Sequence, residues 1–103
     1  MRKIDVRDYE VVLPDGKKIN YLVRQSLADV LLAPQLKLNG RSLLKSHILA
    51  TKILSGKDDF VFFEEAEWSQ LVHAVEVIEG WSHNDVEFVQ RVLNALIVEV
   101  TEK

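Results

Sequence analysis

The sequence predicts an α+β fold, in which a small and mainly antiparallel sheet carries about four helices in the order ββααβααβ. Three features lead to this prediction: a hairpin turn near the N-terminus, four segments with helix caps or helical periodicity, and a short apolar run at 60–63. The sheet should contain the N-terminal hairpin and two further strands. The chain has 103 residues, of which 48% are hydrophobic and 28% charged. A chain of this length buries one core, so we expect a single domain over 1–103.

The first two strands are predicted as a β-hairpin. Apolar and aromatic side chains alternate along 9–13 and again along 19–23, and the sequence Leu-Pro-Asp-Gly-Lys connects the two segments. Pro14 presets φ for the first turn position, Asp15 can hydrogen-bond the backbone ahead of it, and Gly16 accepts a positive φ. This turn chemistry favours two antiparallel neighbouring strands.

The first helix is predicted from a capping box. Ser26 and Asp29 have the spacing in which a serine hydroxyl covers a free amide and an acid reaches back to the cap. Pro34 disfavours helical geometry at the residue before it, so the helix should stop there. Leu36 and Leu38 are then expected as buried loop residues that cover the next helix.

The second helix is predicted from about 41 to 54, capped by Asn39 and Gly40 and closed by Gly56 in a left-handed conformation. At 100° per residue, one face is expected to be core and the opposite face basic. The predicted core face consists of Leu43, His47, Ala50 and Leu54. The predicted basic stripe consists of Arg41, Lys45 and Lys52.

The run 60–63, Phe-Val-Phe-Phe, is too short for a helix and rich in β-favouring residues, so we predict an interior strand. A third helix should follow, because the glutamates at 64, 65 and 67 suit the positive end of a helix dipole. Its apolar stripe consists of Trp68, Leu71, Val75 and Ile78. Gly80 should end this helix, and Trp81 should fold back onto its last turn near Val75 or Glu76.

The fourth helix is predicted to begin at a cap provided by Ser82 or Asn84, with Glu87 and Arg91 paired one turn apart. Its inward side chains are expected to be Val86, Val89, Val92 and Leu93. A last strand from 96 to 100 completes the predicted order of elements.

No set of residues has the pattern of a catalytic, metal or cofactor site, so we do not expect an enzyme. The sequence contains no cysteine, and His47, His73 and His83 lie at separate places without a second ligand on a shared helix face. Adjacent acids, as at 58–59 and 64–65, diverge by 100° on a helix and do not converge on a substrate. No nucleophile-elbow or phosphate-binding glycine pattern is present.

The N-terminal segment, Met-Arg-Lys-Ile-Asp-Val-Arg-Asp, starts basic, runs into acids and has no continuous apolar stretch. It has the pattern of neither a signal peptide nor a membrane span. We therefore expect a cytoplasmic protein without a membrane partner.

The two halves of the chain carry opposite charge. Residues 1–57 hold eleven cations against five acids, a net +6, whereas 58–103 hold eleven acids against two cations, a net −9. This polarity predicts a charged partner or an oppositely charged self-contact, with two independent solvated surfaces as the alternative. The dispersed cations and the overall charge of −3 argue against direct binding of nucleic acid, which needs many cations on one face.

Protein binding is the remaining class of function. The two acidic helices have almost no compensating cation in the sequence, so they should carry a negative potential that steers a basic partner. Trp81 and Phe88 would anchor an interface if they are exposed and belong to the core otherwise. The candidate interaction residues are Arg41, Lys45, Lys52, Glu65, Glu76, Glu79, Trp81, His83 and Phe88.

Three segments resemble small proteins encoded among the morphogenesis genes of tailed bacteriophages and prophages. They are Leu-Leu at 43–44 with Ile-Leu-Ala-Thr-Lys-Ile at 48–53, Phe-Val-Phe-Phe-Glu-Glu-Ala-Glu-Trp at 60–68, and Asn-Asp-Val-Glu-Phe-Val-Gln-Arg-Val-Leu-Asn-Ala at 84–95. The resemblance covers residues 40–100. It implies a non-enzymatic accessory protein of virion assembly, located in the host cytoplasm or the virion, and it transfers no functional residue.

We therefore expect a protein-binding assembly or adaptor protein, phage- or prophage-encoded, that acts in virion head or tail morphogenesis. A homo-oligomer is a natural extension, in which the Arg41 stripe of one copy meets the Glu65 helix of another and builds a ring. The alternative is an acidic inhibitor or nucleic-acid mimic that occupies the basic groove of a host protein. A third class, a small enzyme, would require a deep pocket that gathers His47 or His83 with a carboxylate.

Overall fold

The computed structural model describes residues 1–99, and over this range the predicted α+β class is confirmed. In chain order the elements are β1 (Arg2–Asp5), β2 (Tyr9–Val12), β3 (Lys18–Tyr21), α1 (Val23–Leu31), α2 (Gly40–Ser55), β4 (Phe60–Phe63), α3 (Glu65–Val77), α4 (Val86–Leu93) and β5 (Leu96–Ile97). Single 3-10 turns cover Pro34–Leu36 and His83–Asp85. The last strand was predicted to reach Val100, which lies outside the described residues. Within 1–99, no helix combines the length and the apolar character that a membrane crossing requires.

The strands form two antiparallel sheets where the sequence predicted one. The hairpin is confirmed, but β2 and β3 pair only with each other, while the other sheet has the order β4-β1-β5. Its central strand, β1, was not predicted, and this displaces β4 from the predicted interior position to an edge. Ile4 lies opposite Val61, and Lys3 lies opposite both Phe62 and Leu96. Alternation therefore directs Ile4 to the core and Lys3 to the outer face.

One cluster of buried side chains connects the three-stranded sheet with all four helices. The sheet supplies Ile4, Val61 and Phe63, which face the helices. The helices supply Leu27 and Leu31 from α1, Leu49 and Ile53 from α2, Leu71 and Val75 from α3, and Phe88 and Val92 from α4. The outer face of the sheet is open to solvent, as in a two-layer fold.

The beginning of α1 differs from the prediction. The helix starts at Val23, so Ser26 lies inside it and the predicted capping box is wrong. Leu22 at the N-cap provides no side-chain hydrogen bond. The carboxylate of Asp8, fifteen residues earlier, instead accepts the hydrogen bond of the Val23 amide at 3.0 Å. A tertiary contact thus satisfies a helix end that local sequence leaves open. The helix ends before Pro34, as predicted.

The cap of α2 is confirmed, because the side chain of Asn39 accepts a hydrogen bond from the Ser42 amide at 2.9 Å. The predicted core face is wrong except for Ala50. The buried residues of α2 are Ser46, Leu49, Ala50 and Ile53, a face rotated by roughly 80° from the predicted one at 100° per residue. Leu43, His47 and Leu54 are exposed. Because α2 has apolar residues on nearly every side, periodicity alone did not select the face that packs against α1.

The buried residues of α3 and α4 agree more closely with the predictions. The stripe of α3 is confirmed, with Leu71 and Val75 buried and Trp68 and Ile78 partly buried. Trp81 folds back as predicted, and its indole donates a hydrogen bond to the Val75 carbonyl at 3.2 Å. In α4, Val92 is buried as predicted and Val89 partly so, but Val86 and Leu93 are exposed and Phe88 is fully buried.

Candidate interaction surface

Cations of the N-terminal half form ion pairs with acids of the C-terminal half within the same chain. The Arg2 Nε atom lies 2.9 Å from a carboxylate oxygen of Glu65 at the start of α3. The Lys52 Nζ atom lies 3.0 Å from Glu67 and also donates to the Phe62 carbonyl at 3.0 Å. Lys52 therefore joins α2, β4 and α3. The expectation that the acidic helices lack compensating cations was wrong, because these cations come from distant parts of the chain.

Two further acids of the C-terminal half are also engaged. The Arg91 side chain pairs with Glu87, as predicted, and lies 3.7 Å from Asp5. The Tyr21 hydroxyl donates a hydrogen bond to Asp85 at 2.5 Å. Between positions 64 and 87, three acids have neither an ion pair with residues 1–99 nor a hydrogen bond from a hydroxyl group. They are Glu64, Glu76 and Glu79.

The Tyr21–Asp85 hydrogen bond has electrostatic consequences for both groups. Burial alone would raise the pKa of the Asp85 carboxyl, but hydrogen bonds from Tyr21 and Ser82 outweigh it and hold that pKa below its usual value. Burial, followed by the hydrogen bond to Asp85, raises the pKa of the Tyr21 hydroxyl. The ring of Tyr21 also stacks on Tyr9, with centroids 4.7 Å apart. This polar and aromatic cluster fixes the hairpin to the turn before α4.

Phe88, Trp81 and His83, three of the candidate interaction residues, differ in how much of their side chains is exposed. Phe88 has 0% of its surface exposed, which is the case for which the sequence analysis expected a core residue. It belongs to the core because α4 turns this side chain toward Tyr21 and Trp81. Trp81 is partly buried, with its ring centroid 5.9 Å from that of Phe88. His83 is exposed in the turn before α4. Of these three residues, only His83 presents a largely free side chain.

The predicted basic stripe divides into three different environments. Arg41 is exposed and forms no ion pair with any residue in 1–99. Lys45 lines a cleft between α2 and α3, and Lys52 is engaged with Glu67. Lys45 and Lys52 also line a shared groove that contains Glu67, so an acid of α3 interrupts the stripe.

The sequence analysis missed the most exposed apolar residues of α2. Leu44 is 64% exposed and Ile48 is 70% exposed. They lie one helical turn apart, roughly 140° around the helix from the mean direction of the buried Leu49 and Ile53, and Arg41 borders them. We call Arg41, Leu44 and Ile48 the outer stripe of α2. The signal was present in the sequence, because a helix with apolar residues on all sides must expose some of them when only one face is covered.

Within the described part of the chain, the histidines and the acids near them do not form a metal centre. Within residues 1–99, no group of three or more potential ligands lies close enough to hold a metal ion. His47 is exposed on α2. His83 lines an open groove of about 390 Å³ that also includes Glu10 and Glu87, and Glu87 is paired with Arg91.

Comparison of the chain with protein-family models, with the sequences of curated proteins and with solved structures gave no match. The candidate surface therefore depends on the residues described above. Leu96 and Ile97 of β5 are as exposed as Leu44 and Ile48, but the outer stripe of α2 combines its apolar residues with an arginine that has no ion pair within residues 1–99.

Proposed function

We propose that this chain is a non-enzymatic, protein-binding accessory protein that self-associates through the outer stripe of α2. One observation carries the proposal: Leu44 and Ile48 are 64% and 70% exposed on adjacent turns of a sixteen-residue helix. Scattered single apolar residues are normal on a surface, but adjacent ones beside a free cation are typical of contact patches. Covering both side chains would remove apolar area from water and so favour association.

A second copy of the chain is the partner that charge complementarity favours. Arg41 has no ion-pair partner within residues 1–99, and neither do Glu76 and Glu79 at the C-terminal end of α3. Between these two acids lies Val77, which is 38% exposed. The outer stripe of one copy, apolar and basic, therefore complements the end of α3 of another, apolar and acidic. Glu65, expected from the sequence to be the acidic partner, is already paired with Arg2.

Such a contact joins two different surfaces and is therefore heterologous. Heterologous contacts build rings when the rotation closes and filaments when it does not. Both forms suit an accessory protein of phage or prophage virion assembly, in the head or tail, which is the setting that the sequence resemblance implies. In that setting the chain would act in the host cytoplasm or in the virion.

Sedimentation velocity over a range of protein concentrations, at low and high salt, tests the proposal. We expect the wild-type chain to associate at low salt and to dissociate in part at high salt, because salt screens the Arg41 contact. Ile48→Asp and Arg41→Glu should weaken association, and Glu76→Lys should restore it in the Arg41→Glu background. Lys57→Glu is a matched control, since Lys57 is exposed in the loop after α2. It should leave association unchanged.

A wild-type chain that is monomeric at every concentration and ionic strength would overturn self-association. If a monomer instead binds a basic protein, loses that binding on Glu76→Gln with Glu79→Gln and keeps it on Ile48→Asp, the acidic-inhibitor alternative replaces the proposal.

A further inference from the structure

A polar cleft of about 370 Å³ opens between α2, α3 and the loop that joins α1 to α2. Its volume is within the range of small-molecule sites. Three of its lining side chains are cationic or can become so, namely Lys37 from the loop, Lys45 from α2 and His73 from α3. These residues are up to 36 positions apart in the sequence, so only the tertiary fold brings them to one cleft.

The positive charge of this cleft is uncompensated within the described chain. Lys37, Lys45 and His73 form no ion pair with any residue in 1–99, and no acidic side chain lines the cleft. Acids line two neighbouring grooves instead: Glu76 lies in one that also includes His73, and Glu67 lies in one that also includes Lys45. An anion that enters the cleft would therefore meet no repelling carboxylate in its lining.

The backbone of Lys37 is in an unusual conformation. Its φ of 50° and ψ of 49° place it in the left-handed region, and it is the one residue other than glycine with positive φ among residues 1–99. A side chain with a Cβ atom is disfavoured there, and glycine or asparagine is the usual choice. A lysine in this position carries a conformational cost, and residues with such a cost cluster at functional sites.

Two neutral polar side chains of the cleft lining, Ser46 and Gln70, are hydrogen-bonded to each other. Ser46 is buried, with 2% of its surface exposed, and its hydroxyl accepts a hydrogen bond from the Gln70 side chain at 3.0 Å. This bond joins α2 to α3 in the lining of the cleft. Leu31 and Leu36 supply an apolar side. The cleft thus offers positive charge, neutral hydrogen-bonding groups and a small apolar surface.

From this arrangement we infer that the cleft binds a small phosphate monoester, whose phosphate lies between Lys37 and Lys45 and whose organic part faces the leucines. Lysine ammonium groups bind phosphate as point charges. A phosphate monoester carries a charge of about −1.5 to −2 at neutral pH, which matches two lysines better than the single charge of a carboxylate does. His73 would add a donor at the edge of the site. This site is separate from the outer stripe of α2, and neither inference depends on the other.

Titration with glycerol 3-phosphate, followed by amide chemical shifts in two-dimensional NMR, tests the inference. We expect saturable shifts confined to the cleft, at Lys37, Ser42, Lys45, Gln70 and His73, with inorganic phosphate binding more weakly and glycerol not at all. Lys37→Asn and Lys45→Gln should each lower the affinity by about two- to fivefold, the effect of losing one exposed ion pair. Lys57→Gln, at an exposed lysine outside the cleft, should leave the affinity unchanged.

Thermal unfolding of the Lys37→Asn variant separates a binding role from a structural one. Asparagine tolerates the left-handed conformation, so its melting temperature should equal or exceed that of the wild type while phosphate-ester affinity falls. The inference is overturned if no saturable shift appears, if lysines across the whole surface shift together, or if Lys57→Gln weakens binding as much as Lys37→Asn. The outcome of this binding experiment does not depend on whether the chain self-associates.

Discussion

The guanidinium group of Arg24 lies directly over the α-carbon of Gly56, where an added Cβ atom would stand 2.8 Å from Nη1. From this position Arg24 donates hydrogen bonds to the carbonyls of Ile53 and Asp58. It thereby satisfies a carbonyl of the last turn of α2, which has no partner within the helix. Gly56 has a φ of −75°. The predicted left-handed conformation is therefore wrong, and the absence of a Cβ atom leaves the space that the Arg24 guanidinium occupies.

Gly56→Ala should consequently destabilise the fold by about 1–2 kcal/mol, because the new methyl group displaces Arg24 from its two carbonyl acceptors. Urea denaturation would measure this difference. Gly40→Ala is a matched control at the first residue of the same helix, where nothing lies within 4 Å of the added Cβ. It should be neutral or stabilising. If Gly56→Ala lowers the free energy of unfolding as much in an Arg24→Gln background as in the wild type, the contact between Arg24 and Gly56 does not cause the destabilisation.

Asp8 should act as the cap of α1 although it belongs to a different part of the chain. Asp8→Ala removes the acceptor of the Val23 amide, and we expect a loss of about 1 kcal/mol in the free energy of unfolding. Asp8→Asn keeps an acceptor and should cost less. Asp29→Ala is the discriminating control, since Asp29 belonged to the predicted capping box but only meets Gln25 on the exposed side of α1. A larger loss for Asp29→Ala than for Asp8→Ala would contradict the observed helix start.

The Tyr21–Asp85 hydrogen bond should make stability depend on pH at both extremes. The pKa of Asp85 is lowered by folding, so its contribution is present above the ordinary value of 3.8 and is lost as pH falls through the lowered folded value. The pKa of Tyr21 is raised by folding, so its contribution is present below 10.0 and is lost as pH rises further.

Tyr21→Phe should therefore lower the free energy of unfolding by about 1 kcal/mol at pH 7. The difference from the wild type should shrink below pH 3.8 and again above pH 10.0. Urea denaturation from acid to alkaline pH would measure it. A difference that stays constant at all pH values would show that the variant loses packing only, without the hydrogen bond between the two ionisable groups.

Phe88 should behave as a core residue. Because it is fully buried and contacts the rings of Tyr21 and Trp81, Phe88→Ala should destabilise the fold by about 3–5 kcal/mol. His83→Ala, at an exposed neighbour, should change stability by less than about 0.5 kcal/mol. Thermal or urea unfolding of the two variants distinguishes these roles. If Phe88→Ala leaves stability unchanged and alters binding to a partner, Phe88 is an interaction residue and does not belong to the core.

Local sequence determined the features of this protein that depend on neighbouring residues. The Pro-Asp-Gly turn specified the hairpin, Asn39 specified the start of α2, and the Trp68 to Ile78 stripe specified the buried face of α3. The return of Trp81 onto Val75 also followed from a local helix-ending pattern. In each case one short-range preference, of backbone conformation or of side-chain periodicity, acts without competition.

The tertiary structure decided the features that depend on distant residues. It selected the buried face of α2, because leucines and isoleucines on several sides of that helix left periodicity undecided. It brought Arg2 to Glu65 and Lys52 to Glu67, so that charges separate in the sequence neutralise each other in space. It also placed β1 at the centre of the sheet, exposed Leu44 and Ile48, and gathered Lys37, Lys45 and His73 around one cleft. The physical reason is the same throughout: the packing of the core fixes the relative positions of whole elements, and surfaces and sites are made from the side chains that this packing leaves uncovered.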